Sequence, residues 1–331
     1  MQKLIDIKRR MEAVAGIQTI ARSLSTVSSA KLSRTRSRAG GGRVYVGKMR
    51  EMLERQLTYA SALGVPLTEV SPLLAAHESR DRVLLIHLSG DRGMCGNYNA
   101  VVNRATAADL TRLNDEGRDV QLVLLGKHGE KYLTHRFDTP VRSAEAWPRA
   151  GVTDELVDSV CRMATQAFLG DEVDEVWCRY TRYLSAVQRY PVLVRLLPIE
   201  LRQPPLVLED EAASQDEAGR FALNVRPEAP AVRWWHEPSL IDVLNALLSL
   251  FERAQFEDVL LESFASEQAA RMVTMEEASE RADKTLIELR TRYNRLRREA
   301  ITSDLLGVLF ASRMRGQTVV GGQPYRGERP V

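Results

Sequence analysis

The chain has 331 residues, 44% of them apolar and only 13 of them proline, which is enough for two ordinary domains with a substantial core and excludes a disordered protein. Its formal net charge of +2 demands neither an acidic nor a basic partner on average, yet the first forty residues hold nine basic side chains against two acidic ones. Three widely spaced cysteines, Cys95, Cys161 and Cys178, exclude a disulfide framework, and no apolar stretch approaches the roughly 20 residues of a membrane helix.

The amino terminus lacks the apolar run and small-residue cleavage site of a secretory signal, and it is not the acid-poor, serine-rich leader of an organelle precursor. It therefore reads as a mature cytoplasmic start. Leu4 to Ala39 contains one glycine and no proline, with Ile7, Met11, Val14, Ile17, Ile20, Leu24 and Val27 at steps of three or four, the spacing of a long amphipathic helix. Gly40, Gly41 and Gly42 each cost about 1 kcal/mol relative to alanine inside a helix, so local propensity predicts a break or kink there. The pattern resumes at Val46, Met49, Met52, Leu53 and Leu57 and predicts helix to about Ala62, before Gly64 and Pro66.

A different texture follows. Val83–Leu88 and Val120–Leu125 are apolar runs of strand length. Asn99–Leu113 and Asp154–Phe168 have helical spacing, and Val173–Tyr180 and Val187–Leu197 are rich in strand formers. This alternation predicts a Rossmann-like α/β domain over a mostly parallel sheet. Glu209–Arg220 is acidic and reads as a surface loop. From Leu240 to Leu306 there is neither glycine nor proline, which predicts a single helix of roughly 100 Å at 1.5 Å per residue, introduced by Ser239 with Asp242 three residues on. A compact chain of this length has a radius of gyration near ~20 Å, so such a helix needs a partner outside the globular part.

Leu261, Ala265, Gln268, Met272, Met275, Ser279, Ala282, Leu286, Leu289, Tyr293, Leu296 and Ala300 alternate at steps of four and three, the seam of a left-handed coiled coil. Its small and polar members bury little area but admit a second helix closely, and the helix at the other end of the chain is the candidate. The expected segments are 1–63 and 236–314 as the two shaft helices, 64–235 as the α/β domain and 315–331 as a disordered tail.

Gly42–Met49 matches a phosphate loop until Met49 replaces the magnesium-holding hydroxyl, and no strand precedes it, so the match is rejected. Gly90-Asp91-Arg92-Gly93-Met94-Cys95-Gly96 follows a predicted strand and opens a predicted helix; a tight turn needing glycine geometry is favoured over an anion site. The histidines show no ligand spacing, with His87 placed in the sheet and His128 and His135 on a helix surface. No catalytic residue, metal site or cofactor follows from these motifs.

The residues nonetheless resemble, over nearly the whole chain, the gamma subunit of rotary F-type ATP synthases. The likeness rests on Ile7-Lys8-Arg9-Arg10, Gln18, Ile20, Val27, Ala30-Lys31-Leu32 and Arg43-Val44-Tyr45 at one end, and on Asp91 through Asn97 in the middle. It continues with Glu237-Pro238-Ser239, Ala265 through Met272, Tyr293-Asn294-Arg295 and Ala300-Ile301-Thr302. The resemblance implies an antiparallel coiled coil of the terminal helices around a central α/β domain. It implies a rotor shaft that is itself non-catalytic, coupling ion translocation to ATP synthesis or hydrolysis within a hexamer of alpha and beta subunits, with its foot on the epsilon subunit and the ring of c subunits. It implies further that the chain is peripheral at the cytoplasmic face of a bacterial inner membrane, which it meets only through the complex, and that nucleic acid is not a partner.

Carried over residue by residue, Arg297, Arg298 and Thr302 fall where the family meets a beta-subunit loop, with arginine standing at 298 where glutamine is usual. Arg22 and Leu24 fall where the shaft faces the acidic levers of the beta subunits, and Trp234, His236 and Glu237 fall at the foot facing the c ring. Thr19, Ser25 and Thr26 stand where charged or bulkier residues are usual, and the three glycines interrupt a stretch that is helical in the family. Such divergence resembles the gamma subunits of the second, sodium-associated type of F-ATPase. A differentially contacting shaft is required physically, since a partner that binds all conformations equally shifts none of them. The rival readings are a coiled-coil nucleic-acid binder using the basic first helix, and an enzymatic α/β domain resting on the glycine turn alone.

Overall fold

The structure, a computed structural model, describes residues 2–202, 220–225 and 235–317. The expected acidic loop at 209–219 and the tail from 318 onward lie outside these residues, and the description of the last helix ends at Gln317.

The first element is α1, Gln2–Ala62, and the last is α6, Leu240–Gln317. Between them come α2 (Leu67–Val70), β1 (Arg82–Leu88), α3 (Tyr98–Asp115), β2 (Asp119–Leu125), α4 (Lys127–Thr134), β3 (Val141–Glu145) and α5 (Asp154–Leu169). β4 (Glu175–Tyr183), β5 (Arg189–Leu197) and the two-residue strands β6 (Leu201–Arg202) and β7 (Leu223–Asn224) complete the series. Five strands form one sheet in the order β3-β2-β1-β4-β5, parallel except for the β4/β5 hairpin. β6 and β7 pair separately.

The predicted break at Gly40–Gly42 does not occur: α1 is helical throughout. The flanks are held by tertiary contacts that outweigh propensity. On one side Arg38 donates to Glu257 Oε1 at 2.8 Å, to Asp154 Oδ1 at 2.6 Å and to the Val152 carbonyl at 2.9 Å. On the other, Met49, Leu53 and Leu57 enter the main core.

The chain divides into two compact units, one of Met1–Ser23 and Glu276–Val331, the other of Leu24–Met275. In the larger unit β1 and β2 are buried on both faces, which is why they read as continuous apolar runs. Leu84, Ile86, Val123, Val176, Cys178 and Tyr180 face a core shared with α1, α5 and α6, where Phe168, Phe251 and Phe256 are fully buried. The alternate residues Val83, Leu85, Leu122 and Leu124 face Leu110, Leu113 and Leu133 of α3 and α4. The α/β domain is therefore three layers, with half of each long helix serving as one of its covers. Thr153 caps α5 by accepting from the Leu156 N–H at 3.3 Å, with Asp154 and Glu155 in the first turn. Ser239 does the same for α6, accepting from the Asp242 N–H at 3.1 Å.

In the smaller unit the two helices run antiparallel. Gln18 hydrogen-bonds Asp283, and Arg22 lies 3.7 Å from the same carboxylate. From Met275 to Leu289 the residues of the expected α6 seam are all buried, and Tyr293, Leu296 and Ala300 are half-buried. The α1 seam differs from the expected one. Ile7, Met11 and Val14 are half-buried as expected, but Ile17 and Ile20 are both 57% exposed, and the seam continues instead through Gln18 and Ala21. In the larger unit the same alternation proceeds through Ser28, Leu32 and Thr35, which are buried, and leaves Val27 exposed. The 4-3 heptad steps hold the seam on its partner, and the apolar residues one position away flank it.

Candidate interaction surfaces

Three regions carry the residues singled out from the sequence. The first is the paired tip of the smaller unit. Arg297 and Arg298 are exposed there, and Thr302 is exposed with its hydroxyl donated to the Arg298 carbonyl at 2.9 Å. Arg295 pairs with Glu299 at 2.9 Å along the same helix. The Arg22 side chain is 69% exposed, so its ion pair with Asp283 contributes little to stability.

The α6 register explains a further feature of the tip. With Gln18 opposite Asp283, the start of α1 falls opposite residues near 300, and from Ile301 to Phe310 every α6 residue is exposed. That stretch includes Ile301, Leu305, Leu306, Val308, Leu309 and Phe310. Such a run of exposed apolar side chains is costly in water and makes this stretch a candidate interaction surface. It went unnoticed in the sequence because its spacing matches the helix that carries it.

The second region is the foot. His236 Nε2 lies 2.7 Å from Gln56 Oε1, and its ring centroid is 5.6 Å from that of Tyr59, so the histidine is tied to the end of α1. Glu237 is exposed, and beside it Trp235 is 89% exposed. Trp234 lies outside the described residues. Leu24, in the larger unit, is half-buried and borders a cavity of about 470 Å³ that the glycine turn also lines.

That turn is the third region, and the structure gives it a mechanical role. It joins β1 to α3 with positive φ at Met94 (61°) and Gly96 (60°). The Gly90 N–H donates to Asn99 Oδ1 at 2.8 Å, and both oxygens of Asp91 are occupied, by the Lys127 and Trp147 N–H groups. A Cβ at Gly90 would come 2.8 Å from Glu267 Oε1 and 3.0 Å from Asn99 Oδ1, so a larger residue would displace the ends of these two side chains. Arg271 Nη2 donates to the Arg92 carbonyl at 3.1 Å and also pairs with Glu267. Burial pushes the Glu267 carboxyl above its ordinary range, with the Arg271 charge opposing the shift. Tyr98 Oη donates to the Ser263 carbonyl at 3.2 Å, and Ser266 Oγ to that of Thr181 at 2.8 Å. The turn is a joint fastening the α/β sheet to α6.

His87 lies in β1 with Nδ1 2.7 Å from Thr106 Oγ1 and Nε2 3.0 Å from Asn103 Oδ1; burial lowers its pKa to about 4, so it is neutral. His128 and His135 are exposed. Gly42–Met49 lies inside α1. Among the described residues no three metal-ligating side chains gather, and no helix is long and apolar enough to cross a membrane.

The family model for ATP synthase matches residues 3–311. An ATP synthase gamma chain of Nostoc punctiforme is 31% identical over 320 residues, covering 93% of this chain and 98% of the relative. That of Desulforudis audaxviator is 30% identical over 310 residues with the same coverage. Among solved structures, a chain of the Euglena gracilis mitochondrial ATP synthase aligns with a TM-score of 0.58 at 15% identity, covering 99% of both chains. A central-stalk chain of the Tetrahymena thermophila mitochondrial enzyme aligns with a TM-score of 0.51 at 20% identity, over 78% of this chain and 99% of its own. The structural likenesses establish the fold.

Proposed function

The chain belongs to the gamma-chain family of ATP synthases, and from that premise we propose how its surfaces divide the work of the central rotor shaft. The chain is that shaft, part of a membrane-associated rotary complex. In our reading it is non-catalytic and peripheral, at the cytoplasmic face of a bacterial inner membrane. The tip turns inside a hexamer of alpha and beta subunits. Arg22, Leu24, Arg297, Arg298 and Thr302 meet beta-subunit loops, and His236, Glu237 and Trp234 meet the c ring and the epsilon subunit.

The observation that carries this reading is the tip itself, where apolar residues from Ile301 to Phe310 are exposed beside the exposed Arg297 and Arg298 of α6. A sleeve that excludes water from the apolar residues and presents carboxylates to the arginines fits both. The basic excess of the first helix has the same use, and the nucleic-acid reading finds no support in the family to which the chain belongs. Part of that excess is internal: Arg38 is committed to Glu257 and Asp154, Lys31 donates to the Arg149 carbonyl, and Arg36 lies 5.6 Å from the Tyr183 ring.

Co-expression with alpha and beta subunits tests the proposal. The expected product is a hexamer carrying one copy of this chain, whose ATP hydrolysis falls when Leu305 and Phe310 are both changed to aspartate. A chain that failed to join a soundly assembled hexamer, or a double variant with undiminished hydrolysis, would refute it.

A further inference from the structure

Glu252 lies on α6 within the larger unit, only 4% exposed, facing α5. Among the described residues its one hydrogen-bonding neighbour is the hydroxyl of Thr165, in contact with Glu252 Oε1. The same hydroxyl lies 2.8 Å from the Cys161 carbonyl, one turn back along α5. A hydroxyl carries one proton and has two oxygen acceptors here. If that proton serves the Cys161 carbonyl, the contact between the Thr165 and Glu252 oxygens requires a proton on the carboxyl.

We propose that Glu252 is a proton-binding site that latches α5 to α6: its neutral carboxylic acid donates to Thr165 Oγ1, Thr165 donates to the Cys161 carbonyl, and release of the carboxyl proton to solvent breaks this chain. Once the proton has left, the single hydroxyl proton must choose between the carboxylate and the Cys161 carbonyl; the carbonyl keeps its helical bond within α5, so the cost falls on the carboxylate, a charge held in a buried place.

The surroundings suit a titration in the physiological range. Burial pushes the Glu252 carboxyl up to about 7, against the opposing hydrogen bond of Thr165. The titratable group facing it from α5 is the Cys161 thiol, raised to about 12 by burial and by the Glu252 charge and hence neutral. Arg253, next along α6, is turned to Asp158 at 2.7 Å and Asp154 at 3.4 Å, both on α5, and to Glu257 at 3.4 Å on its own helix. Gln255, three residues along α6 and fully buried, has no hydrogen-bond partner for either amide atom among the described residues.

Infrared difference spectra of the full chain, wild type minus Glu252→Gln, test the proton directly. The expected result is a protonated-carboxyl carbonyl band near pH 6 that disappears by about pH 9. Its absence at both pH values would overturn the proposal. Amide hydrogen exchange reads the latch: at matched pH, α5 should exchange at the same rate in both proteins near pH 6, and several-fold faster in wild type near pH 9. Equal rates at both pH values would overturn it. Thr165→Val, which keeps the shape and removes the hydroxyl that can turn to serve the anion, should move the loss of the band to higher pH, and an unmoved midpoint would refute the role of Thr165.

Discussion

Replacing Arg271 by methionine keeps the aliphatic stem of the side chain and removes its charge from the joint between the glycine turn and α6. The Arg271 and Glu267 side chains are 8% and 6% exposed, so this is a buried pair. Removing one partner of such a pair costs about 3–5 kcal/mol, because the other is left charged and uncompensated. The Arg92 and Gly93 carbonyls lose their donor as well. At about 2 °C per kcal/mol for a chain of this size, the melting temperature should drop by roughly 6–10 °C near pH 7.

The loss should depend on pH with a definite sign. Glu267 is already raised by burial in the intact protein, and without the guanidinium its folded-state pKa rises further above the unfolded value. Between those two values the folded chain holds a proton that the unfolded chain has released. Stability therefore falls as pH rises through that window and is fully recovered below the unfolded carboxyl pKa. Thermal unfolding of the variant and of Glu267→Gln/Arg271→Met across pH 4 to 8 checks this. The double variant should be milder, with a flatter profile, and a coupling of about 1–3 kcal/mol should separate it from the summed single changes. A single-variant loss under about 1 kcal/mol that ignores pH would show that the joint is an ordinary solvated ion pair and refute the reasoning.

The glycines of α1 make the opposite case: a Cβ at Gly40 or Gly41 meets nothing within 4 Å. The double change to alanine should stabilise the chain by about 1–2 kcal/mol in denaturant titrations, and destabilisation would show that the segment is not helical. At Gly129 a Cβ would come 2.3 Å from His87 Nε2, so Gly129→Ala should cost at least about 3 kcal/mol by the same assay and disturb the His87 imidazole resonances. Arg297→Glu with Arg298→Glu should change stability by less than about 0.5 kcal/mol, both residues being exposed, yet lower ATP hydrolysis by the assembled complex severalfold; unchanged turnover would remove these residues from the beta contact.

The α6 seam was legible because a seven-residue repeat maintained over about five heptads admits one register, and every residue that repeat names from Leu261 to Ala300 is buried or half-buried. The partner seam on α1 was legible only in part. There the most apolar residues, Ile17, Ile20 and Val27, run at near-helical steps one position off the heptad, and hydrophobicity alone selects them. What packs is instead Gln18, Ala21, Ser28 and Thr35, residues whose smallness or polarity leaves no hydrophobic signal but which let a second helix approach. β3 was missed for a related reason: Val141–Glu145 is a largely exposed strand at the sheet edge, with a single apolar branched residue. The buried acids Glu252 and Glu267 escaped for another, since a helix packed on nearly every side from Phe251 to Arg271 has no solvent face against which a buried charge stands out. Ile17 and Ile20, displaced from the α1 seam, and the apolar residues from Ile301 to Phe310 of α6 are exposed. A surface of that kind is selected against in a free monomer, so the pattern that defeats prediction of the seam is the same pattern that motivates the proposed surrounding sleeve.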